Sequence, residues 1–187
     1  MIGSSAAWAA GYTGAGSRIA IIDTGADVDH PSLDPDALKY ALQGSNATIM
    51  TEADLTDEVL NQLNAYTRKA GLTAADFYVN EKIPFGFNYV DADTDITHDN
   101  DTQGDHGSHV TGIAAGNRFV KDEAGNYVAA LDSVMTQGVA PDAQILTMKV
   151  FGKGGGAYDS DYMVAIEDAM VLGADAANLS LGGSFPG

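Results

Sequence analysis

The sequence contains no cysteine. That excludes disulfide cross-links, thiolate nucleophiles and zinc sites built on cysteine, while leaving the compartment open. Basic residues are scarce: nine Lys and Arg stand against 26 Asp and Glu, for a net charge of −17. A phosphate-binding surface needs clustered Lys and Arg, so a nucleic-acid partner is excluded. No uninterrupted apolar run reaches the roughly 18 residues that a membrane-spanning helix needs. The opening residues MIGSSAAWAAGYTG carry no basic stretch followed by a continuous apolar one. They do not read as a signal peptide, and any signal or propeptide is expected upstream. Internal repeats and low-complexity tracts are absent too.

What is present is 187 residues, 45% hydrophobic, with 22 glycines. That suits one compact domain with a sizeable core and many tight turns. Residues 17–23, SRIAIID, form a short apolar run between Gly16 and Gly25 and read as a buried parallel strand. Residues 144–151 and 174–181 read as two more. Between these two lies a helical pattern at 159–172, with Tyr162, Ile166, Ala169 and Met170 on one face. Asp159 or Ser160 can cap its start, and Gly173 can end it. Strand, helix and strand at this spacing predict a right-handed βαβ unit, hence an α/β fold with a parallel sheet flanked by helices. A second helix is expected at 106–116 and a surface helix at 51–70. In the latter, Thr51 and Asp54 resemble a capping box, and Leu55, Val59, Leu63 and Tyr66 make an apolar stripe. The region 34–103 is otherwise polar and is expected to elaborate the domain rather than form a second one.

Asp23 closes the first strand, where a carboxylate must be paired or hydrogen-bonded to be buried. Functional groups in open α/β sheets gather at such strand ends, although a turn or helix-cap aspartate fits there equally well. The segment Asp105-His106-Gly107-Ser108-His109 carries two of only four histidines. Three readings stand open: a metal pair, two structural histidines, or one base held rigidly by the close packing that Gly107 and Gly112 permit. The metal reading lacks the glutamate and the i, i+4 spacing of the common zinc motif. His30 and His98 lie in polar loops and are expected at the surface.

Taken in order, DTG after the first strand, HGSHVTGIAAG, GVAPDAQILTMKVF and NLSLGG resemble the subtilisin-like serine proteases, whose triad runs Asp, His, Ser along the chain. The stretch IPFGFNYVDADTDITHDNDTQGDHGSHVTGIAAGN, with the insertion before it, looks like the cell-envelope proteinase branch of that family, the lactocepins and C5a peptidases. The resemblance implies that Asp23 is the triad aspartate, His106 the triad histidine and His109 a structural histidine. It implies that the strand around Gly154, Gly155 and Gly156 pairs with extended substrate. It also implies that Ser180, Leu181, Gly182 and Gly183 form one wall of the S1 pocket.

The family's GTSMA serine motif occurs nowhere in the chain, and the oxyanion-hole asparagine is expected downstream as well. Asn178 does not match it, and neither Ser108 nor Ser180 suits the nucleophile. The chain is therefore expected to be the N-terminal part of the catalytic domain, inactive alone, with the C-terminal half as its partner. The implied activity is endoproteolysis of extracellular polypeptides by a secreted or wall-associated enzyme. No catalytic cofactor is implied; structural calcium is. The acidic run Asp91, Asp93, Asp95, Asp99, Asp101 and Asp105 begins like a calcium loop, but Ile96 and Thr102 occupy positions where glycine and glutamate are needed. A solvated acidic loop is the expectation there. The alternatives to an enzyme half are an inert binding or assembly piece and a metallohydrolase using His106 and His109.

Overall fold

A computed structural model describes residues 3–99, 101–134 and 136–182. In chain order its helices are α1 (Ser4–Ala9), α2 (Pro35–Ala41), α3 (Asp57–Leu60), α4 (Asn64–Arg68), α5 (Ala74–Phe77), α6 (His106–Ala115), α7 (Ala130–Ser133) and α8 (Asp159–Val171). The strands are β1 (Arg18–Asp23), β2 (Phe85–Asn88), β3 (Phe119–Lys121), β4 (Tyr127–Ala129), β5 (Gln144–Lys149) and β6 (Ala176–Asn178). Four strands form a parallel sheet in the order β2-β5-β1-β6, while β3 and β4 make a separate antiparallel pair. The expected α/β fold, a parallel sheet flanked by helices, is present.

Period-two alternation sorts β1 and β5 into two faces. Ala20, Ile22, Leu146 and Met148 turn one way, with Phe85 and Phe87 of β2. They pack on Ala165 and Ala169 of α8, on Leu172 just after it, and on Leu55, Leu60, Leu63 and Phe77 from the short-helix region before β2. Ile21 and Ile145 turn the other way, against Ala115 of α6 and against Leu33, Ile83 and Ile96. Each Ile, Leu, Met or Phe among them contributes about 1.5–3 kcal/mol on burial. Asp23 shares the face of Ile21, and Lys149 that of Ile145, so both strand ends deliver charged groups to the side where α6 lies.

Four expectations need correction. The 51–70 segment is not one helix. A 3₁₀ turn at Glu52–Asp54 is followed by α3 and α4. Its breaks are fixed by Thr56, whose hydroxyl caps α3, and by Asp168 of α8. The Asp168 carboxylate accepts the N–H groups of Asn64 and Ala65 at 2.7 and 2.9 Å and so caps α4 from across the chain. Within the 34–103 region, β2 pairs with β5. The β5-α8-β6 unit is parallel as expected, with β1 lying between its two strands, but β6 spans three residues instead of eight. Finally, α8 buries Asp161, Ala165, Asp168 and Ala169, leaving Ile166 and Met170 exposed. The two carboxylates turn inward because they have partners there: Arg68 for Asp161, and the α4 amides with the Tyr89 hydroxyl for Asp168. No side chain caps α8 at Asp159 or Ser160; its N-cap is Tyr158. Its other end follows expectation. Gly173 has φ +67°, and the N–H groups of Gly173 and Ala174 return to Met170 and Ala169 in a Schellman motif.

Candidate active site

Asp23 and His106 meet. His106 opens α6, and its Nδ1 lies 2.7 Å from Asp23 Oδ1. An ionised carboxylate only accepts, so Nδ1 carries the hydrogen and donates it. That fixes the imidazole tautomer and leaves Nε2 as the free nitrogen. The Asp23 side chain is 1% exposed and that of His106 51% exposed. The pair thus has a dry anchor and a wet, accessible head. Asp23 Oδ1 also accepts the Thr24 N–H at 2.7 Å, while Oδ2 is buried without a partner among the described residues.

Two glycines set how close α6 comes to the end of β1. A Cβ on Gly107 would sit 2.1 Å from the Gly25 carbonyl oxygen. Gly25 itself has φ +112°, and a Cβ there would lie 2.3 Å from the Ile96 carbonyl. Neither position accommodates a side chain without movement of backbone. The Gly107 N–H donates to the Thr24 hydroxyl at 2.8 Å, tying the first turn of α6 to the residue after Asp23. Gly112, by contrast, has nothing within 4 Å of its would-be Cβ.

The remaining site expectations fare differently. Gly154–Gly156 form no strand. The Gly152 N–H bonds the Gly156 carbonyl and the Gly155 N–H bonds the Gly152 carbonyl, both at 2.8 Å, closing a turn. Gly155 has φ +82°, which suits a turn and not an extended edge. The turn is laced to the loop before His106 through Gln103 Nε2, which donates to the Gly155 carbonyl at 3.2 Å. Ser180, Leu181 and Gly182 follow β6 without regular structure; Gly183 lies outside the described residues. The Ser180 hydroxyl donates to Asn178 Oδ1 at 2.9 Å, and both line a cavity of about 260 Å³ against Val110 of α6. Ser108 accepts the Asp27 N–H at 2.7 Å, directed away from the Asp23 contact. His109 is exposed. With His30, Asp27 and Ile113 it lines a larger cavity of about 800 Å³, to which neither Asp23 nor His106 contributes.

Among the described residues, no three His, Asp or Glu side chains converge as metal ligands. Ammonium groups pair with three of the six carboxylates of the acidic run. Lys153 Nζ lies 2.9 Å from Asp95 and 3.6 Å from Asp93, and Lys149 pairs with Asp101. Burial acts to raise the Asp95 carboxyl, but hydrogen bonds from Lys153 and Thr97 hold it below the usual range. The expected solvated loop is therefore only partly solvated: the Asp101 side chain is fully buried. Sequence reasoning missed Lys149, Asp101 and Thr24. The lysine stood inside an apparently apolar strand, and that charge in that context was the available signal.

A family model described as "Subtilase family" matches residues 14–186. The PI-type proteinase of Lactococcus lactis subsp. cremoris is 35% identical over 178 residues, covering 91% of this chain and 8% of that protein. The minor extracellular protease Vpr of Bacillus subtilis (strain 168) is 31% identical over 189 residues, covering 98% of this chain and 16% of its own length. A C5a peptidase of Streptococcus pyogenes is 29% identical over 171 residues, covering 90% of this chain and 12% of that protein. The chain thus spans about 8% of the length of the lactococcal proteinases it matches.

Proposed function

The chain belongs to the subtilase family, and from that premise we propose that it supplies the base and its orienting carboxylate to a serine endopeptidase. The observation that carries this reading is the 2.7 Å contact between His106 Nδ1 and buried Asp23 Oδ1. With Nδ1 committed to the carboxylate, His106 Nε2 is the atom that takes the proton of a serine hydroxyl. It then returns that proton to the leaving amine. Asp23 holds the tautomer and stabilises the imidazolium. The serine and the oxyanion donor would come from sequence outside these 187 residues. The family's GTSMA motif is absent from the sequence, and the chain alone is expected to be inert. Gly154–Gly156 and Ser180–Gly183 would flank the peptide cleft. Substrate pairing at the former needs the present turn to open into an extended edge. Substrates would be extracellular polypeptides, met by a secreted or wall-associated enzyme; the names of relatives such as the minor extracellular protease support that placement.

The test uses the full-length protein. It is expected to hydrolyse casein-like substrates, to be blocked by a serine-directed fluorophosphonate and to resist 1,10-phenanthroline. His106→Ala should lower kcat by a factor on the order of 10⁶. Inhibition by phenanthroline without fluorophosphonate sensitivity would replace this reading with the metallohydrolase one.

A further inference from the structure

The most deeply buried charges near Asp23 and His106 belong to a pair that the proposed reaction does not use. Lys149 stands opposite Asp23 in the register of β5 against β1, so both side chains leave the same face of the sheet. The side chains of Lys149 and Asp101 are each 0% exposed. The Lys149 ammonium donates to Asp101 Oδ2 and to the carbonyl of Thr24.

Thr24 follows Asp23 directly, and its other polar groups are also committed to the site. Its N–H donates to Asp23 Oδ1 at 2.7 Å, and its hydroxyl accepts the Gly107 N–H at 2.8 Å. Asp101 lies in the loop that leads into His106. One ammonium therefore joins the residue after the aspartate to the segment before the histidine. A buried ion pair gives little stability over apolar residues of equal volume, so stability alone does not account for it.

We propose that Lys149 and Asp101 are positioning residues that set the separation and orientation of Asp23 and His106. Lys149 fixes the Thr24 carbonyl, and with it the backbone that aims the Asp23 carboxylate. Asp101 brings the loop before α6 to the same ammonium, so the imidazole is held from its N-terminal side. Neither residue touches substrate. The inference rests on the Asp23–His106 reading above.

The experiment uses the full-length protease and the double variant Lys149→Met/Asp101→Leu, which fills the site with apolar atoms. Its melting temperature is expected to stay near the parent's. Its kcat is expected to fall about 10–100-fold with KM little changed, as for a misplacement of an ångström or less. The low-field proton NMR signal of the His106 Nδ1–H bond to Asp23 should weaken or move in step. Should the double variant fail to fold, Lys149→Gln and Asp101→Asn keep a hydrogen bond without the charge pair. There a fall in kcat of about 3–10-fold, at constant KM, is expected. Parental kcat and an unchanged low-field signal in the folded variants would overturn the proposal. His106→Ala, run in parallel, separates the two readings. If it retains turnover the Asp23–His106 reading fails, and if it abolishes turnover while the Lys149 variants stay fully active, only the positioning role fails.

Discussion

At the amino end of the sheet, Lys82 is fully buried just before β2. Its amine donates to the carbonyls of Pro141 and Ala143 at 2.9 and 2.8 Å. At the carboxyl end, Lys149 is equally buried and donates to one carbonyl and one carboxylate. Burial lowers the Lys82 amine to about 7, with nearby Asp142 opposing the shift; the Asp142 carboxylate is bound to Arg118 at 2.9 Å. A neutral amine keeps two N–H donors, enough for both carbonyls, so Lys82 can staple loops in either protonation state. Lys149 faces a buried carboxylate, and removing it would strand that charge. The same residue type thus serves as a neutral-tolerant staple at one end and as half of an ion pair at the other. Asp23 lies at the end with the ion pair.

The largest effect expected from this contrast is catalytic. In the full-length enzyme Asp23→Asn should lower kcat by a factor on the order of 10⁴, while Lys82→Met stays within about 3-fold of the parent. Comparable losses in steady-state assays would erase the functional difference between the ends. Next comes stability, measured by urea unfolding with the serine chemically blocked to prevent autolysis. Lys149→Met leaves Asp101 buried and unpaired and should cost about 3–5 kcal/mol, whereas Lys82→Met orphans two carbonyls and should cost about 1–3 kcal/mol. Equal losses would mean that the carboxylate adds nothing.

The pH dependence sharpens the contrast further. Between about pH 7 and the ordinary lysine range, the unfolded chain binds a proton at Lys82 that the folded chain does not. Stability at this residue therefore rises with pH across that window, with a slope of up to about 1.4 kcal/mol per unit. The difference in unfolding free energy between parent and Lys82→Met should grow in the parent's favour from pH 7 to pH 9; a flat difference would show that the amine stays protonated when buried. The smallest effect belongs to neither end. Thr51→Ala removes a hydroxyl that donates to Asp54 at 2.8 Å and should cost about 1 kcal/mol in the same unfolding assay. A larger loss there would make the short-helix region as critical as the sheet ends.

Asp23 and His106 were legible because each sits in a local signature: an apolar run ending in Asp-Thr-Gly, and a histidine bracketed by glycines. The strands β1 and β5 were legible for the same reason. β2 was not, since Phe85-Gly86-Phe87-Asn88 is short, follows Pro84 and holds a glycine whose would-be Cβ is filled by Ile96. The inward turn of Asp161 and Asp168 keeps the helical period of α8 but contradicts the apolar stripe expected through Ile166 and Met170. Its cause is held by Arg68, Asn64 and Tyr89, roughly a hundred positions away in the case of Asn64. The same applies to Asp101, one of six acidic residues in its run and indistinguishable from the others until Lys149 is seen against it. Local pattern carries identity well, but it carries the partner of a buried charge poorly.

The backbone contact between Gly25 and Gly107 has an evolutionary consequence. Because the Gly25 carbonyl fills the space a side chain on Gly107 would need, and the Ile96 carbonyl the space of one on Gly25, backbone holds both positions to glycine. A lineage cannot drift at either site and recover by compensating at the other, since any added carbon meets backbone and not a rotatable group. Transplanting the histidine segment into another scaffold should therefore succeed only where the recipient already carries glycine after its Asp-Thr. Recombination between distant homologues should tolerate crossovers between these segments as long as both parents supply that glycine.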